Sequence, residues 1–355
     1  ELTIPRARWD EGLALMDELL HEPAFPKKDL KRSQRDLRDW HTIQATNDLG
    51  TVASMARLHA TYPPDHPRGT RPDLDALKSV KAGDLRTLHS RLLSQTPVTV
   101  EVFGDVSWEE VSADVTALLE GVGAAGERAV PPPFTPLSSA QIVAVDMPGQ
   151  TQAAIRVTTE APDRASVDRV PMSAVNFALG GSFTSRLNGN LREEKGWTYG
   201  SYSSYSSLPT HGAWSASVDV EAENVAAAIG EIKAELATIA ADGPTAGEIN
   251  AAWLDDVTWW NRRLETDSTA ANFYQSLTRQ EESIDDVAAR LAAMHDLKPA
   301  AAQAVAARWL GVDAPMLWVI VGDRSAIGDQ VESLGLPTTW ISTTEAIMGT
   351  FTVPR

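Results

Sequence analysis

One segment occurs twice in this sequence. Residues 97–105 (PVTVEVFGD) and residues 315–323 (PMLWVIVGD) each begin with proline, continue through mostly apolar residues and end in Gly-Asp, 218 positions apart. Each predicts a short β-strand that ends in a turn and leads into a helix, over 109–119 in the first copy. Pro26 and Pro244 have the same separation, and each stands between two predicted helices. Two tandem copies of one domain explain these matches.

Apolar residues at spacings of three and four predict amphipathic helices in both copies. In the first copy, Trp9, Leu13, Met16 and Leu20 share one face, and residues 225–239 show the same pattern in the second. The other predicted helices cover 27–44, 49–60 and 84–94 in the first copy and 246–265, 269–280, 284–295 and 299–310 in the second.

The second copy has a front portion whose counterpart would fall before residue 1. Strands are predicted over 141–146 and 152–159, helices over 165–179 and 183–194, and a hairpin over 197–207 and 212–220. The prediction is an α+β protein of two tandem homologous domains, each a sheet with helices on one face, the first lacking its front half. The predicted boundaries are 1–122 for the back half of the first domain, 123–139 for a Gly- and Pro-rich linker and 140–355 for a complete second domain.

The segment 180–200 (GGSFTSRLNGNLREEKGWTYG) carries the candidate chemistry. Gly180 and Gly181 permit a close backbone approach, and a helix then leads to Arg192 on its last turn. A strand follows, with Tyr199 early in it. A guanidinium and a phenol that point to one place would donate hydrogen bonds to a carbonyl oxygen or an oxyanion.

The same spacing has a plainer interpretation. Arg192 and Lys195 would complement the negative end of the helix, and Tyr199 would fill a position in a sheet. Spacing alone favours this second interpretation.

The segment resembles the C-terminal-domain signature of the pitrilysin/insulinase-type zinc peptidases, the inverzincins, in which a helix bearing Leu-Arg is followed by Gly-aromatic-x-Tyr. The stretches 23–26 (PAFP) and 65–67 (DHP), the Gly-Asp strand ends and the duplicated domain are also similar to that family. The resemblance implies that Arg192 and Tyr199 bind the substrate backbone next to the scissile bond and stabilise the tetrahedral intermediate. Gly180 and Gly181 are grouped with this pair as substrate-binding residues.

The zinc site of the family has no match here. Catalytic members carry His-x-x-Glu-His on a helix, and no two of the seven His in this chain are three or four residues apart. The helix that bears the third family ligand would place Ser33 and Trp40 at the two expected Glu positions, although a shift of one residue would bring Asp39 into place. We therefore expect no metal on this chain, and zinc bound by a partner: a His-x-x-Glu-His half that is either an upstream domain or a separate subunit.

Composition excludes several classes of partner. The formal net charge of −17 argues against nucleic acid and against an anionic membrane surface, and no apolar run is long enough for a membrane span. The absence of Cys excludes disulfides and thiolate chemistry without fixing the compartment. Localisation is unknown from the sequence, and a bacterial-type periplasmic or secreted location is favoured over a cytoplasmic one.

The predicted function is that of the non-zinc-binding part of a zinc-dependent endopeptidase, active on peptides within a larger assembly such as a heterodimer. The isolated chain is expected to hydrolyse nothing and to bind no stoichiometric zinc. Two alternatives use the same fold: a catalytically inert scaffold subunit, and a peptide-binding module that needs no partner.

Overall fold

The computed structural model describes residues 2–123 and 136–355, so most of the predicted linker lies outside the described residues. The helices before the linker are α1 (Trp9–His21), α2 (Lys27–Asp39), α3 (Leu49–Thr61), α4 (Leu74–Ser79), α5 (Ala82–Gln95) and α6 (Trp108–Leu118). After it come α7 (Arg169–Asn176), α8 (Arg186–Asn188), α9 (Val225–Asp242), α10 (Ala246–Arg263), α11 (Asp267–Gln280), α12 (Ile284–His295), α13 (Pro299–Leu310), α14 (Arg324–Ser333) and α15 (Thr343–Met348). The strands are β1 (Gln141–Asp146), β2 (Gln152–Ala161), β3 (Ser201–Ser207), β4 (Gly212–Glu221), β5 (Leu317–Gly322) and β6 (Thr338–Ser342).

The six strands form one mixed sheet in the order β3-β4-β2-β5-β1-β6. β5 lies between β1, which it pairs in parallel with Gln141 opposite Leu317, and β2, which it pairs antiparallel. The hairpin of β3 and β4 extends the sheet beyond β2, and β6 forms the opposite edge. This mixture of one sheet and many helices confirms the predicted α+β class.

Helices cover both faces of the sheet, where one covered face was expected. Trp318 and Ile320 of β5 face a core that includes residues of α7, α9 and α13. Leu317, Val319 and Val321 face a second core with α3 and α15. Burial on both sides explains why β5 is apolar throughout and does not alternate with polar residues.

Residues 97–103 form no strand, although the repeat predicted one. In the second copy, β5 takes its hydrogen bonds from β1 on one side and β2 on the other. The described residues contain no counterparts of these two strands in the first copy, so 97–103 has no ladder to join. The repeat predicted a strand because the local pattern resembles that of β5. A strand forms, however, only where neighbouring strands supply hydrogen-bond partners.

The described residues group into two compact units. The first, here called the helical unit, comprises 2–38, 73–123 and 260–283; the second, the sheet unit, comprises 39–72, 136–259 and 284–355. Both apolar cores named above lie wholly within the sheet unit. Each unit takes segments from both sides of the linker, so the units do not correspond to the stretches before and after it. The domain boundaries at 122 and 140 stay a prediction.

Candidate functional site

Arg192 lies in a wide, π-helical turn, Gly189–Glu194, that continues α8. Its guanidinium carbon stands over the ring of Phe183, 4.5 Å from the ring centroid. Its Nη1 atom is 3.3 Å from a carboxylate oxygen of Glu193. That contact lacks hydrogen-bond geometry, and within the described residues the buried Nη1 atom makes no hydrogen bond. Arg192 is therefore held by stacking and charge while a donor remains available.

A left-handed glycine ends the Arg192 turn. Gly196 has a φ of 66°, and the N–H of Trp197 donates to the carbonyl of Leu191 at 3.0 Å. This pairing of a left-handed residue with a bond back across the last turn is a common way to close a helix. Leu191 is fully buried in the sheet unit, so the closed turn is fixed to its core.

Tyr199 lies outside the sheet, which corrects the prediction that it stands early in a strand. β3 begins only at Ser201, and the Tyr199 side chain is 93% exposed. The hydroxyl of Thr198 accepts a hydrogen bond from the N–H of Gly200 at 3.1 Å and donates to its carbonyl at 3.0 Å, which closes a local turn. Hydrogen bonding within that turn takes the place of pairing with β4. A side chain so exposed packs against little within residues 2–123 and 136–355, and the structure does not bring Tyr199 against Arg192.

Gly180 and Gly181 end another wide turn, Phe177–Gly181, which continues α7. A Cβ atom added at Gly180 would lie 2.6 Å from the backbone nitrogen of Ser203 in β3. At Gly181 it would lie 2.9 Å from Nδ2 of Asn176. The pair thus allows the close approach that the sequence suggested, and at Gly180 the neighbour is the protein's own strand.

Asn188 joins the two parts of the signature, and sequence reasoning missed it. Its buried side chain donates from Nδ2 to the carbonyl of Phe183 at 2.6 Å, and its Oδ1 accepts from the N–H of Ser201 at 3.2 Å. One amide therefore holds both the loop that carries the Arg192 stacking partner and the start of β3. A single Asn within a helical pattern gives no signal of this role, because the pattern does not show which strand will pass beside it.

Two further polar links fix the signature to neighbouring helices. Arg186 makes a two-point contact with Glu248 at the start of α10, with Nε–Oε1 and Nη2–Oε2 distances of 2.8 Å. Burial alone would raise the pKa of Glu248, but the bonds from Arg186 and Thr245 lower it, so the carboxylate stays ionised. On α9, Glu231 lies 3.0 Å from Nζ of Lys195. Lys195 thus pairs with a carboxylate and does not serve merely to complement a helix end.

The described residues offer no metal centre. No three His, Asp or Glu side chains within 2–123 and 136–355 converge closely enough to hold an ion. Ser33 and Asp39 lie on α2 and Trp40 just beyond it, and the structure gathers no ligand set around them. The residues present therefore do not fit zinc, and the expectation that zinc is bound elsewhere stays a prediction.

Comparison with known families agrees with this arrangement. Residues 79–253, about half of the chain, match the family model described as the peptidase M16 inactive domain. The chain belongs to the M16 peptidase family. It carries the inactive, non-zinc-binding domain of this zinc-protease family, which confirms the resemblance to pitrilysin/insulinase-type peptidases at the level of the family.

Two curated relatives are named as uncharacterized zinc proteases. One, from Mycobacterium leprae, is 26% identical over 238 residues, which cover 63% of this chain and 53% of the relative. The other, from Streptomyces coelicolor, is 27% identical over 185 residues, which cover 50% of this chain and 40% of the relative. The chain thus spans about half or less of the length of these relatives.

Solved structures share the fold at low sequence identity. A peptidase M16 inactive domain from Pseudomonas fluorescens has a TM-score of 0.76 at 19% identity, covering 89% of this chain and 75% of that one. A protease from Helicobacter pylori has a TM-score of 0.72 at 18% identity, covering 90% and 78%. The periplasmic protease PqqL from Escherichia coli has a TM-score of 0.65 at 15% identity, covering 88% of this chain and 34% of that one.

Within the part of the chain that the structure describes, no helix combines the length and apolar character needed to cross a membrane.

Proposed function

We propose that this chain is the non-zinc-binding part of a zinc-dependent endopeptidase, in which Arg192 and Tyr199 bind the substrate backbone next to the scissile bond. The zinc would be held by a partner half with a His-x-x-Glu-His motif, in the same polypeptide or in a separate subunit. Membership of the M16 family and the zinc-protease names of two relatives support this assignment.

The observation that carries the proposal is the state of Arg192. Its buried Nη1 makes no hydrogen bond among the described residues, while its guanidinium is fixed on Phe183. A buried donor without an acceptor is costly, and a substrate carbonyl oxygen would supply the acceptor. As the carbonyl oxygen gains negative charge in the tetrahedral intermediate, a charged donor already in position would stabilise it more than the ground state.

Tyr199 would complete the site on substrate binding. It stands on a short turn between Gly196 and Gly200, and its exposed phenol is free to rotate onto a bound peptide. Gly180 and Gly181 would keep side chains out of the path of the substrate backbone, in addition to their packing against β3 and Asn176. A periplasmic or secreted location is part of the proposal, and the likeness to a periplasmic protease from Escherichia coli is consistent with it.

The test uses the chain assembled with its zinc-bearing half. Arg192→Ala should lower kcat/KM for a peptide substrate by about 10²–10³-fold, the usual effect of removing one oxyanion donor, and Tyr199→Phe by about tenfold. Lys195→Ala is the matched control, because it removes a cation from the same segment that already pairs with Glu231. Analytical ultracentrifugation should show unchanged assembly for all three variants.

Two results would contradict the proposal. Full activity of Arg192→Ala and Tyr199→Phe would favour an inert scaffold. Tight peptide binding by this chain alone, with no effect of a zinc-bearing half on turnover, would favour the stand-alone binding module.

A further inference from the structure

A polar cavity of about 160 Å³ lies beside the signature, in the sheet unit. Its lining includes Gly181, Ser173 and Asn176 of α7, and Asp256 of α10. The volume is well above the roughly 15 Å³ that one water needs, and it leaves room for a small organic group. Gly181 belongs both to the cavity lining and to the segment 180–200. A ligand in the cavity would therefore lie next to the segment that carries Arg192.

Asp256 is the charged group of this cavity. Its carboxylate is partly buried, and no hydrogen bond or ion pair to it is found among the described residues. Burial and the neighbouring charge of Asp255 raise its pKa to about 6, while Arg290 acts in the opposite direction. A cation in the cavity would therefore offset a desolvation cost that Arg290 compensates only in part.

The other lining groups distinguish between kinds of cation. Phe177, Ala252 and Met294 form apolar walls, which suit methylene groups. Asp256 is the sole carboxylate that the described residues contribute to the lining, whereas calcium and magnesium sites normally need six or more oxygen ligands. One carboxylate, polar hydroxyl and amide groups and an apolar wall match the guanidinium or ammonium head of a basic side chain with part of its stem.

We infer that the cavity beside Gly181 binds an arginine or lysine side chain of a peptide, with Asp256 as its counter-ion. The peptide part of this inference rests on the proposed function, because the side chain would belong to a substrate held along the Arg192 segment. The net charge of −17 would also steer basic peptides toward the chain.

Matched peptides provide the first test. One peptide carries arginine and its partner carries citrulline, which keeps the shape and removes the charge. Isothermal titration of the assembled protein should show at least about tenfold tighter binding of the arginine peptide, and Asp256→Asn should remove that preference without weakening the citrulline peptide.

Asp255→Asn is the control, because Asp255 neighbours Asp256 in sequence and makes the same change in net charge without lining the cavity. It should alter either affinity by less than about threefold, as expected for a screened charge. Asp256→Asn removes a desolvated carboxylate, so this variant is expected to fold, and its melting temperature should not fall.

The second test separates this inference from the proposed function. Agmatine, a small guanidinium compound, is titrated into the protein by NMR without any peptide. Binding that is lost in Asp256→Asn and kept in Asp255→Asn supports the cavity as a cation site, even if no peptide is bound or cleaved. The inference is overturned if agmatine fails to bind at millimolar concentration, or if the arginine and citrulline peptides bind equally.

Discussion

At the scale of single residues, a buried imidazole couples the sheet unit to pH. His211 is 5% exposed, and its Nε2 lies 2.8 Å from the hydroxyl of Tyr62. The rings of His66 and His211 have centroids 6.0 Å apart. Burial lowers the pKa of His211 to about 4, and the charges of Arg68 and His66 act in the same direction. The folded protein therefore keeps this ring neutral down to mildly acid pH.

This shift predicts acid sensitivity of the folded state. In the unfolded chain the His pKa is about 6.5, so between pH 6.5 and pH 4 the unfolded state takes up a proton that the folded state does not. As the pH is lowered through that window, the free energy of unfolding should decrease by up to roughly 1.4 kcal/mol per pH unit because of this one residue. His211→Gln should flatten this slope relative to that of the wild type.

Urea denaturation at a series of pH values measures how the free energy of unfolding depends on pH in the wild type and in His211→Gln. Because the slope is compared and not the absolute stability, a uniformly weaker variant still tests the idea. Equal slopes in the wild type and in His211→Gln would contradict it. His59 and His66, whose pKa values burial also lowers, should keep some acid sensitivity in the variant.

The candidate residues differ in how far the sequence could locate them. The helix that ends at Gly196 followed from local pattern, because a left-handed glycine closes its own turn. Tyr199 did not, since whether a residue pairs in a sheet depends on the competing turn formed by Thr198. Asn188 could not be found at all, because its two partners become neighbours only in the folded chain.

At the scale of elements, periodicity found most helices and missed the wide turns within three of them. The predicted spans 284–295 and 299–310 coincide with α12 and α13. Continuous helices predicted over 165–179 and 183–194 contain wide turns at Phe177–Gly181 and Gly189–Glu194. A pattern of 3.6 residues per turn cannot reveal an extra residue in one turn, and such turns are frequent at functional sites.

Small side chains on α3 determine how closely it approaches the sheet. Ala53, Ala56 and Ala60 are buried in the core that this helix forms with β5. Ala56→Leu adds three heavy atoms where no space is available, and it should lower the free energy of unfolding by about 1–3 kcal/mol. Ser54→Leu makes a similar enlargement on the exposed face and should change stability by less than about 0.5 kcal/mol.

Denaturant midpoints of Ala56→Leu and Ser54→Leu test this prediction about the packing of α3. If Ala56→Leu were as stable as Ser54→Leu, α3 would not be packed tightly on the sheet. A change in the denaturant dependence with no change in midpoint would also count against the prediction, since overpacking should act on the folded state.

At the scale of the whole molecule, each compact unit includes one α-helix from the other side of the linker. α3 and α11 occupy equivalent positions in the repeat, at the 218-residue separation. α3 belongs to the sheet unit and packs on β5, whereas α11 belongs to the helical unit. There, Tyr274 and Thr278 of α11 contact Phe103 and Glu101 in the segment equivalent to β5. The relation of helix to strand segment is thus preserved in both units, although residues 97–103 form no strand.

The two units should differ in stability, because their cores differ in size. Both large apolar clusters lie in the sheet unit, while the helical unit buries a smaller set: Val111, Val115, Leu118, Phe273 and Leu277. Buried apolar area is the main stabilising term, so the helical unit should open at lower denaturant concentration.

Native-state hydrogen exchange tests this difference. Amides of α1 and α6 should exchange through openings that need less free energy than those that expose β5. The gap should narrow as urea is added, because opening of the larger sheet unit exposes more surface and is therefore more sensitive to urea. Ala56→Leu should lower the exchange free energy of β5 and leave that of α6 nearly unchanged, because α3 packs in the sheet unit. A single opening free energy shared by α6 and β5 would show instead that the chain unfolds as one cooperative structure.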